Sequence, residues 1–228
     1  MEKHITILIP ALNEASRIEN TISAVKKSDL ISRIIVLDDG STDNTFQTAN
    51  ELDVEVYRFN ENHGKGYALN FGIQKAMDDS SIMVFLDADT GSTAIEVEKL
   101  IIPIINNDAD VTIARFPAAK KKGGFGLVKN LAKFGVKSLT GKSINTSLSG
   151  QRAFKVKVLE QLGTLPNDYG IEVGMIIDIF NKGFIVKEVE VNMTHRETGR
   201  DIRGFIHRGK QFYQISKVLV HKFKEVKK

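Results

Sequence analysis

Short, mostly apolar runs alternate with amphipathic stretches through the first half of the chain. Ile5 to Pro10, Ile34 to Leu37, Val54 to Tyr57, Ile82 to Leu86 and Val111 to Ala114 read as strands. Between them, Glu14 to about Lys27, Asp43 to Leu52, Lys65 to Met77 and Ile95 to Ile105 read as helices. Ser41 or Thr42 is the predicted N-cap of the second helix. The run Ile82-Met83-Val84-Phe85-Leu86 shows no polar alternation, which suits a strand covered on both faces. Repeated β-α units of this length predict an α/β fold: one Rossmann-like domain with a mainly parallel central sheet flanked by helices.

The second half is less regular. Helical patterns cover about Phe125 to Leu139 and Ile171 to Asn181, and Phe184 to Val191 reads as a strand. Lys120-Lys121-Lys122-Gly123-Gly124 is either a solvated loop or a segment that closes over an acceptor phosphate. From Arg203 to Val226 the pattern is amphipathic, with Phe205, Phe212, Ile215, Leu219 and Phe223 able to share a face. No internal repeat or low-complexity tail interrupts the chain, so residues 1–228 read as a single domain.

Composition narrows the class. An apolar content of 42% supplies a sizeable core, and 32 basic against 28 acidic residues is a modest excess. That balance favours phosphate-bearing ligands or an anionic surface and does not by itself imply nucleic acid. With no cysteine there is neither a disulfide nor a thiolate ligand or nucleophile. The N-terminus carries a strand pattern, not a signal peptide, and no segment approaches the roughly 20 apolar residues of a membrane span. The expected location is the cytoplasm.

Four polar segments each follow a predicted strand. They are Pro10-Ala11-Leu12-Asn13-Glu14, Asp38-Asp39-Gly40-Ser41-Thr42-Asp43, Asn62-His63-Gly64-Lys65-Gly66 and Asp87-Ala88-Asp89. In a parallel sheet all four reach the edge where ligands bind, outside the carboxyl ends of the strands. One such segment alone is an ordinary turn or cap, but four converging at one edge describe a site. Asp87 and Asp89 offer hard oxygen ligands that can share a divalent cation with the phosphates of a nucleotide. No Gly-x-Gly-x-x-Gly opens the first helix and no phosphate-binding loop of the Gly-x-x-x-x-Gly-Lys-Ser/Thr type is present, which argues against dinucleotide-dependent redox chemistry and against that class of nucleotide hydrolase.

The strings IPALNE, VLDDGSTDNT, NHGKGYALNFG, FLDADT and SGQRAF, in that order over most of residues 5–155, resemble the family 2 glycosyltransferases and their GT-A fold. Within that group the chain is similar to polyprenyl-phosphate sugar synthases and to glucosyl-phosphoglycerate synthases. The latter belong to a neighbouring, retaining family, which YGIEVGMIID and THRE resemble most. The resemblance implies a donor half over residues 1–115 and an acceptor half over 116–228. Pro10, Leu12 and Glu14 would shape a base and ribose pocket, Asp39 would accept from the nucleobase, and Lys65 would approach the diphosphate. Asp87, with Ala88 beside it, would sit near the ribose or the metal, and Asp89 would ligate Mn²⁺ or Mg²⁺. Gln151 and Arg152, with Ser149 and Gly150, match the segment beside the donor sugar and acceptor.

The remaining candidates are less determined. His195 is by itself an ordinary surface or core histidine, and the resemblance makes it a metal ligand. Arg196, Arg200 and Arg203 form either a solvated basic face or a grip on phosphate. Glu172 is a favourable charge at a helix N-terminus or a general base, with Asp168 its competitor, while a phosphate acceptor would need no strong base. The expected activity is therefore metal-dependent transfer from a UDP- or GDP-sugar to an acceptor such as polyprenyl phosphate or phosphoglycerate. A noncatalytic sugar-nucleotide-binding subunit and a sugar nucleotidyltransferase are the alternatives. The C-terminal amphipathic stretch either packs on the domain or makes a peripheral contact with the inner face of a membrane.

Overall fold

The computed structural model describes residues 4–117, 126–166, 170–194 and 202–226. Its order is β1 (Ile5–Ala11), α1 (Ile18–Val25), β2 (Arg33–Asp38), α2 (Thr45–Asn50), β3 (Glu55–Arg58), α3 (Lys65–Ala76) and β4 (Ile82–Phe85). A 3₁₀ segment over Ala88–Val97 then leads into α4 (Glu98–Ile105) and β5 (Val111–Arg115). The second half adds α5 (Leu127–Thr140), β6 (Arg152–Lys155), α6 (Val156–Leu162), α7 (Ile171–Asn181), β7 (Val186–Glu190) and α8 (Ile202–Val226). Side chains of α8 are described from Gly209 to Glu225.

The seven strands form one sheet in the order β3-β2-β1-β4-β6-β5-β7. β1 pairs in parallel with β2 and β4, β2 with β3, and β5 with β7; β6 alone runs antiparallel, between β4 and β5. The alternation of side chains along each strand divides the core in two. Leu8, Leu37, Met83, Phe85, Ile113 and Phe154 pack on the face covered by α3, α5 and α7. Ile7, Ile9, Val36, Val84, Ala114 and Ala153 pack on the opposite face beneath α1 and α4. Strands buried on both faces need continuous apolar sequence, which is why β1, β2 and β4 read clearly as runs.

Three local expectations change. Neither Ser41 nor Thr42 caps α2, which starts at Thr45: the N–H of Thr45 donates to Asp43 Oδ1 at 3.0 Å, and Ser41 is drawn away to the loop after β1. The single helix expected over Ile95 to Ile105 is a 3₁₀ segment running into α4, with a non-helical Gly91 inside it. β6 and α6 were not expected at all. Among the described residues no helix is long and apolar enough to cross a membrane.

α3 approaches the sheet closely at Gly72, where a Cβ would lie 2.7 Å from Leu37 Cδ1 and 3.2 Å from Leu8 Cδ1. Interiors packed at crystal density do not absorb added methyl groups without strain. Gly72→Val is expected to lower unfolding stability by about 1–3 kcal/mol, read as a lower urea midpoint at unchanged slope; an unchanged midpoint would contradict this packing.

Candidate active site

The carboxyl ends of β1, β2 and β4 open into a cleft of about 560 Å³. Pro10 lines it from the end of β1, Leu12 and Glu14 from the loop after it, Asp39 from the loop after β2, Asn62, Gly64 and Lys65 from the segment entering α3, and Asp87, Ala88 and Asp89 from the segment after β4. The far wall is Leu148, Gly170, Ile171 and Glu172, with Gln211 and Ile215 of α8. The parallel sheet therefore gathers all four polar segments at one edge.

Lys65 is the electrostatic centre. Its ammonium donates to Asp87 Oδ1 at 2.6 Å and lies 3.9 Å from Glu172 Oε1. Burial works against the charged form of Lys65, but the charges of Asp87 and Glu172 and the Asp87 hydrogen bond outweigh it, so its pKa is raised. Asp87 is fixed from the other side, where Gln151 Nε2 donates to Oδ2 at 2.8 Å. Gly150 backs this pair: a Cβ there would lie 2.6 Å from Lys65 Nζ and 3.1 Å from Asp87 Oδ2, so a side chain at this position would displace the ammonium from its place beside Asp87. Both Asp87 oxygens thus accept hydrogen bonds from side chains; Asp89 lines the cleft beside it, with Arg17 Nη1 at 3.8 Å.

Asp38 and Asp39 divide their work. Asp38 is fully buried, accepts from the N–H of Ser41 at 3.1 Å and pairs with Arg58 Nε at 3.3 Å. Asp39 accepts from the N–H groups of His63 and Gly64 at 2.9 and 2.8 Å, tying β2 to the segment that carries Lys65. Gly40, at φ +75°, makes this junction possible, since a Cβ there would lie 2.7 Å from the carbonyl carbon of Glu61.

A second network, invisible to sequence reading, holds the loop after β1. Three successive N–H groups donate to three side chains of the next strand-to-helix loop: Asn13 to Ser41 Oγ at 2.9 Å, Glu14 to Thr45 Oγ1 at 2.8 Å and Ala15 to Asp43 Oδ2 at 3.2 Å. Asn13, in the left-handed region at φ 56°, returns the contact by accepting from the Thr42 N–H at 2.9 Å. The only sequence signal for this clamp is the density of short polar side chains in Ser41-Thr42-Asp43-Asn44-Thr45.

Not every expected residue reaches the cleft. Arg152 is 1% exposed and is not part of the lining; its Nε donates to the Ser149 carbonyl at 2.8 Å and Nη2 to that of Ser147 at 3.1 Å. Burial pushes its pKa down to about 10, partly offset by the charge of Glu172. The structure places this guanidinium in a buried position behind the cleft. Gln151 also lies behind the lining and acts on the cleft through Asp87. Asp168, His195, Arg196, Arg200 and the lysines at 120–122 lie outside the described residues, as does the side chain of Arg203. Among the described residues no three His, Cys, Asp or Glu side chains form a ready metal cluster.

A sheet of this order, with this acidic edge, defines a GT-A glycosyltransferase domain. Residues 6–163 match the model of glycosyl transferase family 2, and the chain belongs to that family; it is a glycosyltransferase. It is 30% identical over 184 residues to the UDP-N-acetylglucosamine–dolichyl-phosphate N-acetylglucosaminyltransferase of Methanococcus voltae, covering 71% of this chain and 73% of that one. It is 28% identical to the polyprenol monophosphomannose synthase of Mycolicibacterium smegmatis, covering 85% and 78%. In three dimensions it is similar to glucosyl-3-phosphoglycerate synthase from Mycobacterium tuberculosis in complex with Mn²⁺, UDP and glucosyl-3-phosphoglycerate, with a TM-score of 0.78, 25% identity and coverage of 96% and 80%.

The clamp makes a pH prediction. Burial raises the pKa of Asp43, but hydrogen bonds from the Thr45 side chain and from the N–H groups of Thr45 and Ala15 outweigh this and lower it overall. A depressed folded-state pKa contributes stability above the unfolded value of about 3.9 that is lost as pH falls through the folded value. The stability difference between the native chain and Asp43→Asn should therefore be constant above that value and shrink below it, as measured by urea unfolding against pH. A difference that grows on acidification would contradict the clamp.

Proposed function

We propose that this glycosyltransferase takes a nucleoside-diphosphate sugar, UDP-linked in preference to GDP-linked, and passes the sugar to a phosphate-bearing acceptor. The observation that carries the reading is the Lys65 ammonium, held charged between Asp87 and Glu172 on the wall of an acid-lined cleft. Breaking the anomeric C–O bond leaves negative charge on the departing diphosphate, and Lys65 supplies a fixed positive charge to meet it. Residues up to 115 are assigned to the donor and those from 116 to the acceptor.

Pro10, Leu12 and Glu14 frame the nucleoside. Asp39 keeps lone pairs beyond those used by His63 and Gly64, which suits the N–H of a base. Asp89 would hold a divalent cation, with His195 as a second ligand, and its hard oxygen chemistry fits Mg²⁺ or Mn²⁺. When bound, that ion supplies Lewis-acid stabilisation of the leaving diphosphate. Asp87 is assigned to orienting Lys65, which donates to its Oδ1, and its remaining lone pairs face the same cation site as Asp89. Gln151 holds Asp87, and Arg152 supports the same loop from behind.

Glu172 is the base assigned to a hydroxyl acceptor, and Asp168 is its competitor. A phosphate acceptor is already nucleophilic at neutral pH, and Arg196, Arg200 and Arg203 would then grip it. Support for a phosphate acceptor comes from a relative whose name specifies dolichyl phosphate and from a structural neighbour bound to glucosyl-3-phosphoglycerate.

Incubation with a panel of sugar nucleotides, Mn²⁺ and a phosphate acceptor is expected to release nucleoside diphosphate. Asp89→Ala should cut that turnover about a hundredfold or more while leaving the unfolding midpoint unchanged. Near-normal turnover in Asp89→Ala would remove the metal assignment; release of pyrophosphate would indicate nucleotidyl transfer, and release of neither product a binding protein.

A further inference from the structure

α8 serves two surfaces at once. Gln211 and Ile215 form part of the cleft wall, Val218 packs on Gly170 and Gly174 beside α7, and Leu219 packs on Gly135 of α5. Lys222 reaches Asp178 of α7 at 2.8 Å. These contacts account for the inner side of the helix. On its outer side Phe212, Tyr213, Val220 and Phe223 are large, apolar or aromatic, and exposed, Tyr213 at 69%. Tyr213 and Val220 are seven residues apart and Phe212 and Phe223 eleven, spacings that keep them on one side of a helix.

α5 repeats the pattern next door. Its inner side buries Ala132, Gly135 and Val136, while Leu127 and Phe134, again seven apart, are 62% and 71% exposed. Lysines flank both stripes. Lys129, Lys133 and Lys137 are exposed on α5, and Lys210, Lys217 and Lys224 recur every seven residues on α8. Glu225 is the one acidic residue in either helix sequence. Large apolar side chains exposed together and bordered by one sign of charge mark an interaction surface.

We propose that the outer face of the α5–α8 pair docks on an anionic membrane, so that a lipid-linked phosphate acceptor reaches the cleft along α8. Charge chooses this occupant. A second copy of the same face would bring six lysines against six, whereas anionic headgroups complement them, and the aromatic rings suit the boundary between headgroup and acyl chain. The lipid nature of the acceptor rests on the phosphate-acceptor reading above; the docking face stands on its own residues.

The test is flotation of the full chain, without donor, on vesicles of phosphatidylcholine with or without phosphatidylglycerol. Binding is expected only with phosphatidylglycerol, and it should fall in about 0.5 M NaCl, where screening is short-ranged. Phe134→Ser combined with Phe223→Ser, and separately Lys217→Glu combined with Lys224→Glu, should each lower vesicle partitioning at least about tenfold. Both double variants should keep the native unfolding midpoint and the native rate of diphosphate release with a soluble phosphate acceptor. No vesicle binding at low salt, or binding insensitive to both pairs of substitutions, would overturn the proposal. A dimer in sedimentation that Phe134→Ser dissociates would also overturn it, by giving the face to a second copy. Vesicle binding without transfer to any phosphate acceptor would leave the docking face standing and count against the acceptor reading alone.

Discussion

A single ammonium between two carboxylates organises the active edge of this protein. Lys65 stands 2.6 Å from Asp87 and 3.9 Å from Glu172, two acids that arrive from opposite halves of the chain. The pairing makes the cleft one object. Without it, among the described residues Glu172 of α7 would be left with the buried charge of Arg152 behind the cleft, and the carboxylate of Asp87 with the amide of Gln151. Charges set in a partly enclosed cleft interact more strongly than in water, so the two carboxylates keep the ammonium charged and fixed in direction.

The sheet explains how the halves meet. β4 lies between β1 and β6, and β6 runs against the grain. Because β6 is antiparallel, the loop entering it lies at the same edge as the loop leaving β4, which brings Gln151 to Asp87 across 64 residues. A parallel β6 would have delivered that loop to the opposite end of the sheet. The buried guanidinium of Arg152 anchors the loop through the carbonyls of Ser147 and Ser149, and Glu188 of β7 accepts from Thr146 Oγ1 at 2.8 Å. Its rigidity is therefore built from inside.

Much of this was legible in the sequence because parallel strands must be apolar throughout. β1, β2 and β4 are apolar for most of their length, and a polar segment begins at or just past the end of each, so the edge and its acids could be read directly. β6 could not. Arg152-Ala153-Phe154-Lys155 is four residues long with a charge at each end, so it offers neither a run nor an alternation. The clamp on the loop after β1 was hidden for another reason: its donors are backbone N–H groups, which every sequence has. The burial of Arg152 was equally hidden, since an arginine beside a candidate site reads as a ligand until its surroundings are known. α8 was legible as an amphipathic helix, but which face met the cleft depended on Gly135, Gly170 and Gly174 admitting it so closely.

The central claim is that the cation at position 65 is kept for the phosphates of the donor. Calorimetric titration of UDP and of uridine, each in the presence of Mn²⁺, into the native chain and Lys65→Ala tests it most directly. The account predicts that Lys65→Ala weakens UDP binding at least about tenfold, the cost of a charge-assisted hydrogen bond of about 1.5–3 kcal/mol, and leaves uridine binding unchanged. Equal losses for UDP and uridine, or no loss for either, would contradict it.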